Sequence, residues 1–300
     1  MPICCPENIG EDMCVDEKQI GEEFYSIISN RTTGKLTFVA NTTKSAELIE
    51  TTLSINQQLS RAKVINRDLA SCYRSFCNQV IPDAAQVADK FHVIHLLLEA
   101  EQAVRIRLKR NIDTQNRLAH QAFKNQEKER KDTCEKARKR YIKRKFVYKE
   151  KIASNGETQS ELLRRSRFLL FKFPSQWTKT QKSRANVLFV EYPELETVYQ
   201  LCCNFRDWYS KNNIGANEMI LEKGLHQWYE DVEDSGIEEL MNFSSTVERN
   251  EEYICNYFYH NGATNAMAEN RNGKIKKFIN SNQGTRERDF FFFRLKKYFA

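Results

Sequence analysis

Apolar and polar positions along the chain change period several times, and each change marks an element. Residues 13–20, MCVDEKQI, form a short apolar run broken by Asp16 and Glu17. EFYSIISN and LTFVANTT follow, punctuated by Gly34, and the three runs read as a meander of strands. Residues 44–59, KSAELIETTLSINQQL, space Leu48, Ile49, Leu53 and Ile55 between polar residues and predict one helix packed on the sheet. Residues 61–98 then hold two short apolar runs, AKVIN and AAQVA, which deliver Asp68 and Asp89. SCYRSFCNQVIP between them reads as a helix, so the stretch is a β-α-β unit. It places two carboxylates at the carboxyl ends of neighbouring strands, the edge at which open α/β sheets bind ligands.

The expected order is β-β-β-α-β-α-β. Three antiparallel strands followed by parallel ones through helical crossovers is an RNase H-like mixed α/β order. HVIHLLLEAEQAVRIRLKR continues with helical periodicity into a basic stretch. Positions 124–151 carry 13 Lys/Arg against 5 Asp/Glu. That stretch has too little apolar area to fold alone. It is either a long solvated helix or an arm that orders on a polyanion. Residues 160–259 are helical and rich in Leu, Trp and Tyr, with Pro174, Pro193, Gly215 and Gly236 as breaks. Trp177, Trp208 and Trp228 are expected in the core. This all-α block reads as an insertion. The division is residues 1–110 for the first part of the core, 111–259 for arm and insertion, and 260–300 for a closing helix. In that last part Asn265 is a candidate N-cap, Glu269, Asn272 and Lys276 share a helix face, and Ile275, Phe278 and Ile279 pack on the sheet.

Composition narrows the class. Apolar content of 40% supports a core, and no apolar run approaches the roughly 18 residues of a membrane span. The first residues lack the pattern of a signal peptide. Nine cysteines without a CxxC pair argue for reduced thiols and a cytoplasmic protein, and against a zinc site. A net charge of +7, unevenly placed, suggests a polyanionic partner. A carboxylate triad on such a sheet can hold two divalent cations that clamp the attacking and leaving oxygens of a phosphodiester. Asp16, Asp68 and Glu269 occupy the places such a triad needs: first strand, neighbouring strand, flanking helix.

The blocks VDEKQIG, NRDLASCYRSFCNQVIPDAAQVADKFHVIHLL, LLRRSRFLLFKFPSQWTKTQKSRANVLFVEYPEL, TNAMAENRNGKIKKF and FFFFRL carry a resemblance that runs through nearly the whole chain. The D-x-F-H-V and E-x-x-N-x-x-I-K elements are specific in combination. The chain resembles the DDE transposases of bacterial insertion sequences, the ISL3 group in the form common in Bacteroidetes.

The resemblance implies an RNase H-like core with an all-α insertion before the last catalytic acid. It makes Asp16, Asp68 and Glu269 the catalytic and metal-binding acids, with two Mg²⁺ or Mn²⁺ ions as cofactor. Asp89 and His92 form a supporting D-x-x-H element. His92 either bonds a nearby carboxylate from a buried position or contacts the scissile phosphate or leaving group. Asn272 and Lys276 orient Glu269, touch a phosphate or pack on the helix surface. Gly284 and Arg286 keep part of a basic segment that follows the glutamate helix in the family. The implied partner is double-stranded DNA, both element ends and target. Lys139, Arg140, Lys143, Arg144 and Lys145 are the candidate contacts, in a nucleoid-associated, homo-oligomeric protein. Family members usually carry an amino-terminal zinc-binding and helix-turn-helix region. This sequence starts some fifteen residues before its first aspartate, so a separate end-recognition protein is expected. The competing expectations are a non-catalytic DNA-binding relic or regulator derived from a transposase, and a structure-specific nuclease on the same fold.

Overall fold

The structure is a computed structural model, and it describes residues 3–20, 22–148, 150–260, 262, 273–275, 277, 278, 281 and 287–300. The five strands anticipated from the sequence are present: β2 (Asp12–Ile20), β3 (Glu23–Asn30), β4 (Leu36–Ala40), β5 (Val64–Arg67) and β6 (Ala85–Ala88), with a two-residue β1 (Ile3–Cys4) added at one edge. The six-stranded sheet has the order β1-β4-β3-β2-β5-β6. β1, β4, β3 and β2 pair antiparallel, and β2, β5 and β6 pair parallel. This mixed α/β arrangement is consistent with an RNase H-like fold.

Alternation explains the sheet's two faces. Met13, Val15, Ile28, Phe38 and Ile65 meet Leu48, Tyr73, Phe76 and Val80 from helices α1 (Ser45–Thr52) and α3 (Ser71–Val80) in one buried cluster. Ile3, Tyr25, Ile27, Leu36 and Val39 form a second cluster with Ile275, Phe292 and Leu295. Successive side chains of a strand point to opposite faces, so apolar residues on both read as unbroken runs. The β3–β4 turn is closed by Asn30, whose Oδ1 accepts from the amides of Thr32 and Thr33, and by Gly34 at φ +72°.

The single helix expected over residues 44–59 is broken. α1 ends at Thr52, a 3-10 turn spans Leu53–Ile55, and α2 covers Asn56–Leu59. The hydroxyls of Thr51 and Thr52 donate back to the carbonyls of Glu47, Leu48 and Ile49, a local competition that tightens a last helical turn.

The chain divides into two compact units. One comprises Met1–Leu96, Trp208–Gln227 and Ser244–Ala300; the other comprises Leu97–Asp207 and Trp228–Phe243. The first holds the sheet, α1–α3, α11 (Glu251–Tyr259) and α12 (Arg288–Phe299). α11 lies beside the edge strand β6, where the Asn256 amide donates to the Gln86 carbonyl at 2.9 Å.

The second unit is helical: most of α4 (Lys90–Lys136), with α5 (Gln159–Arg165), α6 (Arg167–Leu170), α7 (Lys179–Glu191), nearly all of α8 (Pro193–Trp208), and parts of α9 (Glu218–Ser235) and α10 (Glu238–Glu248). Its core includes Val104, Leu162, Leu170, Leu188, Val198, Phe205, Leu240 and Phe243. α4 is one helix of 47 residues, about 70 Å at 1.5 Å per residue. Its last deeply buried apolar side chain is Ile112. Beyond that point most of the helix is exposed through Lys136, with Glu127 a buried exception, and residues 139–148 have no regular secondary structure.

Of the three tryptophans expected in the core, Trp228 is buried, whereas Trp177 and Trp208 are half-buried. Their indole N–H groups donate to main-chain carbonyls: Trp177 to Leu169, Trp208 to Leu221 and Trp228 to Leu201, at 2.7, 2.9 and 2.9 Å. None of the nine cysteines forms a disulfide. Among the described residues no helix is long and apolar enough to cross a membrane.

Candidate active site

Strand register brings the aspartates level. Val15 pairs with Arg67 across β2 and β5, and Arg67 pairs with Ala88 across β5 and β6. Asp16, Asp68 and Asp89 each stand one residue beyond those partners, Asp16 within β2 and Asp68 and Asp89 just past the ends of the adjacent parallel strands β5 and β6. Parallel strands in register present equivalent residues to the same side.

Each aspartate is held by local backbone. Asp16 Oδ1 accepts from the amide of Glu17 at 2.8 Å. Asp68 Oδ1 accepts from the amide of Ala70 at 2.8 Å, which turns the chain from β5 into α3. Asp89 is buried and sits at the N-cap of α4, with Oδ1 accepting from the Phe91 amide at 3.2 Å. One turn into α4, His92 Nε2 lies 3.7 Å from Asp89 Oδ2 and 4.0 Å from Asp16 Oδ1. The His92 side chain is 38% exposed, so it is not a core histidine.

The site is crowded with negative charge. Burial pushes the Asp68 carboxyl above the usual range; the neighbouring Asp16 charge adds to this, while the Ala70 amide, His92 and Arg67 oppose it. The Glu17 carboxyl is also pushed up, first by burial and then by Asp68 and Asp16. Oxygen donors of this charge are what a hard divalent cation takes, and a cation there would relieve the repulsion. Among the described residues, no group of three or more His, Cys, Asp or Glu side chains is gathered to hold a metal ion. The predicted third acid Glu269 lies outside the described residues, as do Asn272, Lys276, Asn265, Ile279, Gly284 and Arg286.

Sequence reasoning did not find two buried or half-buried cations next to the acids in the chain. Arg67 is fully buried. Its Nε donates to Gln86 Oε1 at 2.7 Å, its Nη1 donates to the Asp68 carbonyl at 2.8 Å, and its guanidinium lies 4.4 Å from the Tyr253 ring centroid. Gln86 in turn donates to Asn78 at 2.6 Å. Lys90 donates to the carbonyl of Tyr209, and its ammonium lies 4.9 and 4.7 Å from the ring centroids of Tyr209 and Tyr257. Burial, with a smaller push from Lys211, brings its pKa down to about 8. Both cations flank an aspartate in sequence, Arg67-Asp68 and Asp89-Lys90. That adjacency was the available signal; their burial was not visible.

Lys139, Arg140, Lys143, Arg144 and Lys145 are all exposed, on the segment after α4.

A mixed sheet with carboxylates level at the ends of parallel strands defines an α/β protein whose acidic edge is its functional candidate. The family model of the ISL3-type DDE transposases, described as a transposase, matches residues 13–295. The chain belongs to that transposase family. No curated protein matches the sequence.

Proposed function

We propose that this chain is the catalytic part of a DDE transposase, cutting and joining DNA strands at Asp16, Asp68 and Glu269. The observation that carries the reading is the level placement of Asp16 within β2 and Asp68 just past the end of the adjacent parallel strand β5, with His92 4.0 Å from Asp16. Two Mg²⁺ or Mn²⁺ ions, when bound, supply Lewis-acid stabilisation of a phosphodiester's attacking and leaving oxygens. Asp16 and Asp68 supply carboxylate oxygens for them, and Glu269 is proposed as the third donor. Residues 111–259 are read as the basic arm and the all-α insertion that precede that last acid.

The other side chains position these donors. Arg67 holds the Asp68 carbonyl and fixes where β5 ends. Asp89 starts α4 and faces the His92 imidazole, which is placed to contact the reacting phosphate or the departing oxygen. Asn272 and Lys276 are proposed to orient Glu269. Hydrolysis frees a 3′-hydroxyl at the element end, and that hydroxyl attacks the target strand in line. No covalent enzyme intermediate is required. The proposed partner is double-stranded DNA, with a second copy of the chain supplying the second active site.

The test is Mn²⁺-dependent cleavage of duplex DNA by the protein and by its Asp68→Asn variant, with circular dichroism as a control for folding. The reading predicts that cleavage is lost while the fold is kept. Full activity in a folded Asp68→Asn protein would overturn it.

A further inference from the structure

The distal half of α4 is solvated, yet one carboxylate on it is nearly closed to solvent. The Glu127 side chain is only 8% exposed. It accepts from the Tyr141 hydroxyl at 2.8 Å, from the Arg144 amide at 3.0 Å, from Arg144 Nε at 2.6 Å, and from Arg130 on its own helix. Three of these four bonds come from residues 14 and 17 positions downstream. The segment after α4 therefore folds back along the helix.

The reversal has its own backbone device. Lys139 N donates to the Cys134 carbonyl at 2.8 Å and Arg138 N to the Glu135 carbonyl at 3.1 Å, with Arg138 at φ +51°. That is the bonding of a Schellman C-cap, with Arg138 where glycine is usual. A second anchor lies further along the arm. Phe146 packs between His120 and Phe123, at ring-centroid distances of 4.7 and 5.4 Å. Burial raises the Glu127 carboxyl, but its four donors outweigh that and hold it at about 2, so the clasp is charged at all working pH values.

The arm's cations are thereby sorted. Arg144 faces inward onto Glu127. Lys139, Arg140, Lys143 and Lys145 stay exposed and have no ion pair among the described residues. We infer that Glu127 is a clasp that orders the basic arm, residues 137–148, in advance of duplex DNA, with Lys139, Arg140, Lys143 and Lys145 meeting backbone phosphates and Arg144 spent on the clasp. This rests on the reading of the arm as a DNA-contacting segment. A loose polycation must lose chain entropy as it binds, whereas a docked arm has lost it already.

The two cases differ in sign. Glu127→Gln makes the arm more positive by one charge. If the arm were a loose polycation, this change would tighten DNA binding. If the clasp orders it, binding weakens. The experiment is fluorescence anisotropy of a labelled 30-base-pair duplex with the full chain, across a salt series, for Glu127→Gln, Tyr141→Phe, Lys139→Ala and Lys143→Ala. Unchanged thermal unfolding serves as the folding control. The expected result is an affinity loss of roughly 3- to 10-fold for Glu127→Gln, less for Tyr141→Phe, and a salt slope about one unit smaller for each lysine variant. Equal or tighter binding by Glu127→Gln, with weaker binding by the lysine variants, would overturn the clasp and leave the arm as a DNA surface. Unchanged binding by all four would remove the arm from the DNA interface altogether. Neither outcome bears on Asp68, whose cleavage assay stands apart.

Discussion

His92 Nε2 stands 4.0 Å from Asp16 Oδ1, so the start of α4 places an imidazole beside the acid of the first long strand. The same ring is 3.7 Å from the buried Asp89 carboxylate that caps this helix. One turn of helix thus connects the capping acid Asp89 to the candidate metal ligand Asp16. His92→Ala should lower single-turnover DNA cleavage by about 100-fold, the order expected for losing a proton-transferring group. Thermal unfolding should barely move, because the ring is partly exposed. Unchanged cleavage would reduce His92 to a bystander.

Arg67 carries the strand end that presents Asp68. Replacing it with Met leaves Gln86 Oε1 and the Asp68 carbonyl without their donor. A loss of roughly 2–4 kcal/mol in urea unfolding is expected, in the range for breaking a buried charged network. Gln86→Leu should cost less, because the Arg67 bond to the Asp68 carbonyl survives. Equal stability of Arg67→Met and the parent would show that the guanidinium holds nothing in place.

Glu101 gives the helical unit a pH dependence. Both carboxylate oxygens are buried without a hydrogen-bond partner among the described residues. Burial pushes the carboxyl up to about 8, against the pull of Arg206 and Arg105. The unfolded value is about 4.3, so the folded state binds this proton more tightly. Its contribution to stability is fully present below about pH 4 and declines as pH rises to about 8. Glu101→Gln should therefore raise the urea midpoint at pH 8–9 and flatten the slope between pH 5 and 8. A parallel pH profile for variant and parent would contradict this.

Arg138 holds a left-handed conformation at φ +51°. Glycine adopts that conformation without the steric cost, so Arg138→Gly should stabilise the docked arm by about 1 kcal/mol. Hydrogen exchange at the amides of Lys139 and Arg144 would report it as slower exchange. Faster exchange would show that the arginine side chain, not the turn, holds the reversal.

The strands were legible because apolar runs of five to nine residues, bounded by turn-formers, have few other readings. β2 and β3 alternate onto two covered faces, and Gly34 marks their turn to β4. The aspartates were legible for the same reason, since Asp68 and Asp89 close their runs. What the sequence hid depends on distant neighbours. Arg67 and Glu101 sit in polar-looking strings, NRD and EAEQ, and only tertiary packing buries them. Residues 124–151 read either as a solvated helix or as an arm that orders on a polyanion, and nothing local reveals that Glu127 receives bonds from 17 residues away. The break at Leu53 likewise came from threonine back-bonding that apolar spacing does not encode.

Asp16 and Asp68 are proposed to share a divalent cation. Anomalous scattering from Mn²⁺-soaked crystals of the full chain tests it most directly. A manganese peak is expected about 2–2.5 Å from carboxylate oxygens of both Asp16 and Asp68, absent in Asp68→Asn. Manganese bound only elsewhere, in crystals of a protein that still cleaves DNA, would contradict it.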